Sequence, residues 1–393
     1  MKQLICLLLI CFCLLRVNAQ MLTPIKSSGS KFSITCANLY FEVDSARGAR
    51  ISSFKIDDSE LLYVDFATTD MAGSTFWPSP QSVWGWPPAV NLDSKPYLSK
   101  INGDTILFKG ATDTKSQLRF YKRMFGSLAD TSITIQYVIK NEKSTSQTWA
   151  PWEITRVPAT GLTIFSKGSG SVTGDMASRT REINGLMWYD QDQYNSPGNK
   201  FFCDGQGWLA HVTRDNFLFI KKFENITAAK KAPGEAEIEV YTASDDSYTE
   251  LEDQGAYTSI ASKDSIKWKV KWLARALPTS VDVSAGSKSL SDYIASILAR
   301  ADLTSTIKAN HTSSLLKLYP NPASEQLIVE TGFDSYRDVR ISIFNMQGKK
   351  IISQAFTQQK TRIDITSLSR GIYFYEVKRE NESMVRGKFS VVR

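Results

Sequence analysis

Histidine and cysteine are scarce in this chain of 393 residues, which contains 2 His and 5 Cys. Three of the cysteines lie within the first 19 residues, and His211 is the histidine of the main β-rich region. A transition-metal site needs several such ligands at close spacing. A Ser-His-Asp triad would have to use His211, and the sequence has no G-x-S-x-G turn to carry the serine. We therefore expect no metal, no cofactor and no catalysis of that kind.

Long hydrophobic runs are also missing, apart from one at the N-terminus. Residues 1–19 begin with Lys2, continue as an apolar run and end in the small-residue segment Val17-Asn18-Ala19, which is typical of a secretory signal. The run is too short to span about 30 Å of hydrocarbon. We expect an exported protein without a transmembrane segment. Cys36 and Cys203 remain after cleavage, and the sequence leaves open whether they form a disulfide or stay free.

A positive charge excess is absent from the main part of the chain. The formal net charge is +7, but residues 1–19 contribute +2 and residues 315–393 contribute +5. Residues 20–314 have 32 Lys+Arg and 32 Asp+Glu, so they are neutral in sum. A nucleic-acid-binding domain needs its positive excess where it binds. We therefore expect no nucleic-acid partner.

Period-two alternation of apolar and polar residues runs from about Phe32 to Leu277. It predicts half-buried strands with one packed face and one solvated face. The positions predicted to face solvent include two runs of like charge: Glu235, Glu237, Glu239, Lys267, Lys269 and Lys271. About 245 residues of this pattern indicate a large antiparallel β-sandwich.

The remaining chain predicts a helix, a linker and a second domain. Residues 289–300 (SLSDYIASILAR) have a helical apolar face, with Ser289 or Ser291 as the cap. Residues 301–314 are rich in Ser and Thr and are predicted as a linker. Residues 315–393 repeat the strand pattern, with a turn at 345–348, and fit a small immunoglobulin-like sandwich.

Residues 76–97 (FWPSPQSVWGWPPAVNLDSKPY) contain Trp77, Trp84 and Trp86, and four prolines are interleaved with them: Pro78, Pro80, Pro87 and Pro88. Prolines at this density exclude a helix and would break a central strand, so we expect an irregular, stiff segment. Flat rings on a stiff backbone suit stacking against the CH face of a sugar. The alternative is that each tryptophan fills the core.

Three further segments combine aromatic rings with hydrogen-bonding side chains, at 149–156, 188–195 and 248–254. They add Trp152, Arg156 and Trp188 as candidate substrate-binding residues. Planar acceptors beside apolar rings match a sugar, whose faces are apolar and whose rim carries hydroxyls. For each segment alone an ordinary structural role is the alternative, such as an ion pair between Glu153 and Arg156.

Four segments of the C-terminal region resemble the type A C-terminal sorting domain of the Bacteroidetes type IX secretion system: LYPNPASEQLIVE, IFNMQGKKI, IDITSLSRGIYFYEV and KFSVVR. The resemblance covers 315–393. It implies export to the periplasm by the signal peptide, then type IX secretion. The product would be secreted or held at the outer-membrane surface, with the tail cleaved or exchanged for an anchor.

The main region resembles galactose mutarotase-like (aldose 1-epimerase-like) domains in YFEVDSARGARISSFKIDDSELLY, WAPWEITRV and YTELEDQGAYTSIASKDSIKWKVKWLA. The resemblance implies an all-β supersandwich over residues 20–300. It also implies that Glu252, in a Leu-Glu-x-Gln setting, is the general base. The family's acid histidine is missing from WAPWEITRV. His211 or a Glu153 with a raised pKa would have to replace it.

These features lead to a secreted or surface carbohydrate-binding protein of mutarotase-like fold, with or without sugar epimerase activity based on Glu252. The alternative is a non-catalytic glycan-recognition module or an accessory protein in polysaccharide use. Polysaccharide cleavage is disfavoured, because no helical toroid or barrel accompanies the predicted sandwich.

Overall fold

The structure, a computed structural model, describes residue 22 and residues 24–193, 200–306, 316–331, 339–345, 349–379 and 382–392. The predicted signal peptide therefore lies outside the described residues. The chain divides into two compact units, residues 1–301 and 302–393.

The first unit is built almost entirely from strands. In chain order they are β1 Ile25–Ser28, β2 Lys31–Cys36, β3 Leu39–Asp44, β4 Arg50–Ile56, β5 Ser59–Glu60, β6 Ser74–Ser79, β7 Leu98–Asn102, β8 Thr105–Lys109, β9 Leu118–Ser127, β10 Ser132–Asn141, β11 Gln147–Pro158, β12 Leu162–Ser166, β13 Thr180–Ile183, β14 Leu186–Asp190, β15 Lys200–Cys203, β16 Trp208–Val212, β17 Phe217–Phe223, β18 Ile238–Thr242, β19 Tyr248–Gln254, β20 Thr258–Ile260 and β21 Ser265–Ala276.

Short helices interrupt these strands, and one long helix follows them. The helices are α1 Val90–Asp93, α2 Lys288–Thr306 and the 3₁₀ turns Gln81–Val83, Ala177–Arg179, Gln191–Gln193 and Ala228–Lys230.

Two antiparallel sheets form the first unit. Among the described residues, sheet A has 11 strands in the order β1-β2-β3-β4-β6-β11-β19-β18-β15, with β5 beside β4 and β20 beside β11. Sheet B has 10 strands in the order β13-β14-β12-β16-β17-β21-β10-β9-β8-β7. The predicted all-β supersandwich is confirmed.

Aromatic side chains from both sheets fill the space between them. Phe76 of β6 stacks on Tyr137 of β10 with ring centroids 4.0 Å apart. Trp272 of β21 contacts Phe41 and Phe54 of sheet A edge to face. Each sheet therefore has an inner face in this core and an outer face directed away from it.

The prediction that residues 76–97 contain no regular structure is wrong in two places. β6 includes Trp77 and Pro78 and lies between β4 and β11, and α1 follows within the same segment. β4 pairs with β6 only at Ile51 and Ser74, whereas Pro78 lies opposite Pro151 of β11. Pro78 therefore has a strand on one side only, where a missing backbone N–H costs little.

The predicted helix is confirmed as α2, but its cap and its end differ from expectation. The backbone N–H of Leu290 donates to Ser287 Oγ at 3.2 Å, so Ser287 caps the helix instead of Ser289 or Ser291. The helix continues to Thr306, into the predicted linker. Residues 307–314 of the predicted linker lie outside the described residues.

The second unit consists of two small antiparallel sheets. Its strands are β22 Leu316–Tyr319, β23 Gln326–Thr331, β24 Val339–Phe344, β25 Lys350–Ala355, β26 Lys360–Asp364, β27 Gly371–Arg379 and β28 Glu382–Val391. Within the described part of the unit, β22-β23-β26 form one sheet and β25-β24-β27-β28 the other. Their apolar residues share one core. The predicted small β-sandwich is confirmed, although residues 346–348 of its predicted turn lie outside the described residues.

One question that the sequence left open is answered in the first unit. Cys36 and Cys203 are buried and free, so they form no disulfide with each other. In the part of the chain that the structure describes, no helix has the length and apolar character needed to cross a membrane.

Candidate functional site

The outer face of sheet A collects side chains from three separate segments. In β11, Trp152, Ile154 and Arg156 point outward, whereas Glu153 points into the core. The strand register places Trp152 opposite Trp77 of β6 on one side and Gln254 of β19 on the other. Ile154 is opposite Glu252, and Arg156 is opposite Glu250. Alternation along strands of known register thus places these residues on one face.

Four tryptophans form a cluster around Trp77 on this face. Its ring centroid is 5.9 Å from Trp84, 5.9 Å from Trp86 and 5.6 Å from Trp152, and each pair meets edge to face. Trp77 and Trp152 are buried, Trp84 is half-buried and Trp86 is 59% exposed. The Nε1 of Trp77 donates to Asp93 at 2.7 Å. Only the outer part of this tryptophan cluster is therefore open to solvent.

Glu252 is fully buried beside the cluster and shares a lysine with Glu239. Nζ of Lys200 lies 2.8 Å from Glu252 Oε2 and 2.5 Å from Glu239 Oε2. Nε1 of Trp152 donates to Glu252 Oε2 at 2.8 Å, and Nε2 of Gln254 donates to Glu239 Oε1 at 2.8 Å. Among the described residues, Glu252 Oε1 has no hydrogen-bond partner.

If Glu252, Glu239 and Lys200 were all ionised, the buried group would have a net charge of −1. A net charge that is shielded from water is energetically costly. Burial raises the pKa of both carboxyl groups, to about 7 for Glu252. The two carboxylates in turn raise the pKa of Lys200, which stays charged. The group therefore holds one proton near neutral pH, shared between the carboxyl groups of Glu252 and Glu239.

Arg156 closes the other end of this face. Its Nη2 lies 2.7 Å from Glu250 Oε1, and its guanidinium carbon is 5.7 Å from the Trp77 ring and 5.8 Å from the Tyr248 ring. Arg156 is fully buried, and Glu250 is the more accessible partner. The alternative of an ion pair between Arg156 and Glu153 is not found: Arg156 pairs with Glu250 and Glu153 with Lys221, because the two side chains point to opposite faces of β11.

Glu153 lies on the inner face of sheet A, away from the other candidates. It accepts hydrogen bonds from Tyr137 Oη at 2.5 Å and Trp272 Nε1 at 3.1 Å. Nζ of Lys221 lies 3.1 Å from Glu153 Oε2 and 2.5 Å from Asp253 Oδ1. These residues form a buried ionic network between the two sheets. Glu153 therefore does not share a face with Glu252.

The remaining two candidates lie in sheet B. His211 is buried in β16, with Nδ1 3.1 Å from Thr163 Oγ1, and burial lowers its pKa to about 4. The ring is therefore neutral at ordinary pH. Trp188 is buried in β14 and packs in the cluster of apolar residues beneath helix α2. Neither residue is brought to the outer face of sheet A.

Lys200 and Glu239 are site residues that the sequence analysis did not select. Glu239 was predicted to face solvent from the alternation Glu235, Glu237, Glu239. The structure corrects this for two of the three, since Glu237 and Glu239 are buried. The sequence did contain a signal for Glu239. It belongs to a set of three glutamates that alternate with apolar residues shortly before β19, the strand that contains Glu252. In the described residues no group of three or more His, Cys, Asp or Glu is arranged to hold a metal ion.

The fold and the site define a two-sheet β-supersandwich with a tryptophan cluster and a buried carboxyl pair on one outer face, joined to a small C-terminal β-sandwich. Residues 317–391 match the family model of secretion system C-terminal sorting domains. This match supports type IX secretion and an extracellular or cell-surface location.

Solved structures similar to the chain include three bacterial proteins. A protein from Synechocystis sp. PCC 6803 matches with TM-score 0.47 and 11% identity, over 65% of this chain and 98% of its own. Galactose mutarotase-like proteins from Clostridium acetobutylicum and Lactobacillus casei each match with TM-score 0.44, at 8% and 9% identity. They cover 63% and 62% of this chain, and 95% and 100% of their own. No curated protein matches the chain in sequence. The sequence's resemblance to a C-terminal sorting domain is thus found, and galactose mutarotase-like proteins are among the similar solved structures.

Proposed function

We propose that this protein binds carbohydrate outside the cell, at the tryptophan cluster on the outer face of sheet A. One observation carries the proposal. Six of the nine candidate residues lie together at this face although they come from three separate segments of the chain: Trp77, Trp84, Trp86, Trp152, Arg156 and Glu252.

The accessible part of the cluster suits a sugar ring. Trp86 and the half-buried Trp84 offer flat apolar surface for the CH face of a pyranose. Tyr241, Tyr248 and Lys200 are partly accessible on the same face and can exchange hydrogen bonds with hydroxyl groups. The buried carboxyl pair fixes the position of Lys200 from below, so the site is ordered before a ligand arrives.

Replacing Trp86 with Ala should weaken binding to the preferred neutral oligosaccharide by about tenfold or more, since exposed aromatic anchors carry much of such binding energy. The measurement is calorimetric titration with a panel of neutral gluco-, galacto- and manno-oligosaccharides. Phe374→Ala is the matched control, because Phe374 is an aromatic residue of similar exposure, 44%, in the second unit. If no sugar of the panel binds wild type, or Trp86→Ala binds it unchanged, the proposal fails.

Sugar epimerisation is a second candidate, and one observation favours it. The pKa of Glu252 is raised to about 7 and its Oε1 is unpaired within the described residues, as a general base near neutral pH requires. The base would take the anomeric hydroxyl proton while an acid protonates the ring oxygen. Glu239, whose pKa burial also raises, is the second buried carboxyl group on this face.

Wild type is expected to accelerate the mutarotation of a freshly dissolved α-hexose, and Glu252→Gln to slow it at least about 100-fold. Polarimetry measures both rates. Glu224→Gln is the control, because Glu224 is exposed and lies outside the site. Equal rates for wild type, Glu252→Gln and buffer would exclude epimerisation, and retained oligosaccharide binding by the same samples would leave the binding proposal intact.

A further inference from the structure

The outer face of sheet B is only partly covered. Helix α2 packs on the half that contains β12, β14, β16 and β17. On the other half, β21, β10, β9, β8 and β7 direct every second residue outward, while their inward residues lie in the core. Leu98 is 74% exposed there, and Lys100, Lys109 and Arg123 are also exposed.

The strand register arranges the outward residues of this half in two neighbouring rows. The first row, from β7 to β21, is Leu98, Lys109, Tyr121, Val138 and Lys267. The second row is Lys100, Leu107, Arg123, Gln136 and Lys269. Cations occupy alternate strands in the second row, so they are about 10 Å apart. We call these two rows the cationic face.

The five strands of the cationic face contain ten lysines and arginines and no Asp or Glu. Of the ten, Lys122 points inward and is buried, so it adds nothing to this face. Two cations at its margin are paired with acids from loops: Lys271 with Asp130 at 2.5 Å, and Arg119 with Glu142 at 3.5 Å. The zero net charge of residues 20–314 therefore hides a strongly positive surface. The balancing acids lie elsewhere, many of them on sheet A.

A groove of about 440 Å³ runs between the cations. Its lining combines the apolar side chains of Leu98, Leu107, Tyr121 and Val138 with those of basic residues. An apolar floor with a cationic rim suits a ligand that has both CH surface and regularly spaced negative charge.

We propose that the cationic face binds an acidic polysaccharide, whose sugar rings rest on the apolar floor and whose carboxylates meet the lysines and Arg123. Charge complementarity requires a polyanion. Single-stranded nucleic acid fits less well, because it relies on several stacking rings and these two rows hold only Tyr121. This face is distinct from the outer face of sheet A, so the inference does not depend on the proposed function.

The test is binding of the full chain to polygalacturonate, with neutral dextran and oligothymidylate as the comparison probes. Wild type should bind polygalacturonate, lose that binding at high salt, and bind dextran and oligothymidylate at least tenfold more weakly. Lys267→Gln combined with Lys269→Gln should weaken polygalacturonate binding about 25-fold, since each cation near an anionic surface contributes about a factor of five.

Lys230→Gln combined with Lys231→Gln is the matched control, because it removes two exposed charges from a loop outside these strands. It should retain at least half of the wild-type affinity. Equal losses in both double variants would mean that only total charge matters and would overturn the proposal. Oligothymidylate binding as tight as polygalacturonate binding would reassign the face to nucleic acid, and absence of polygalacturonate binding would reject it outright.

Discussion

Replacing Lys221 with Met is expected to lower the free energy of unfolding by about 3–5 kcal/mol, the usual cost of removing one partner from a buried ionic group. Lys221 is fully buried and reaches from sheet B to sheet A. Its Nζ lies 2.5 Å from Asp253 and 3.1 Å from Glu153, and it donates to the carbonyl oxygen of Leu251 at 2.8 Å. Without it, two buried carboxyl groups have no cation.

The loss of unfolding free energy in Lys221→Met should depend on pH. Burial, with Glu153 nearby, raises the pKa of Asp253 to about 7 even in the presence of Lys221. In the variant, Asp253 loses the ammonium group that lowers its pKa, so it must take up a proton to remain buried. The folded state then binds more protons than the unfolded state, so stability falls as the pH rises. Urea unfolding at about pH 5 and about pH 8 should therefore show the larger loss at the higher pH.

A triple variant separates charge from packing. Adding Glu153→Gln and Asp253→Asn to Lys221→Met removes the uncompensated charges while keeping similar side-chain volumes, and it should recover most of the lost stability. A single-variant loss below about 1 kcal/mol, or the same loss at both pH values, would contradict the buried network.

The second large effect is expected for Trp77→Ala, which should cost about 3–5 kcal/mol of stability, as is usual for truncating a buried tryptophan. Trp77 is 3% exposed and contacts three other tryptophans. It also donates to Asp93, which would keep its ion pair with Arg50 at 3.1 Å. Thermal and urea unfolding measure the loss.

Trp86→Ala is the contrast within the same cluster. Because Trp86 is 59% exposed, its truncation should change the free energy of unfolding by only about 0.5 kcal/mol. Trp77→Phe should fall between the two, since it keeps a ring and loses the hydrogen bond to Asp93. Equal destabilisation by Trp77→Ala and Trp86→Ala would show that the cluster is not organised around Trp77.

The strand pattern was sufficient for the fold class, because period-two alternation depends only on local residue order and one buried face. The inference that prolines break a central strand was misleading at Pro78. This residue lies in β6 opposite Pro151, and β4 does not pair with it on the other side. Whether a proline sits beside one strand or two depends on which distant strands meet. Sequence order alone does not contain that information.

The direction of individual side chains was the second limit. β11 is buried on both faces, so its sequence carries no contrast between a solvated and a packed side. Trp152 and Glu153 are neighbours, yet Trp152 bonds Glu252 on the outer face while Glu153 bonds Tyr137 in the core. Residues that are close together in one aromatic and acidic segment therefore have side chains on opposite faces of sheet A.

The all-β architecture, the C-terminal sorting domain and the segments that supply the tryptophan cluster could be predicted from the amino-acid order, because each depends on local patterns. Which residues of those segments share a face became clear from the strand pairing. The tertiary structure also decided that Lys200 joins Glu239 to Glu252, and that a neutral main region carries a cationic face. The physical reason is that a charge can be buried only beside a suitable partner. Those partners come from strands that are far apart in the chain, and strand pairing brings them together.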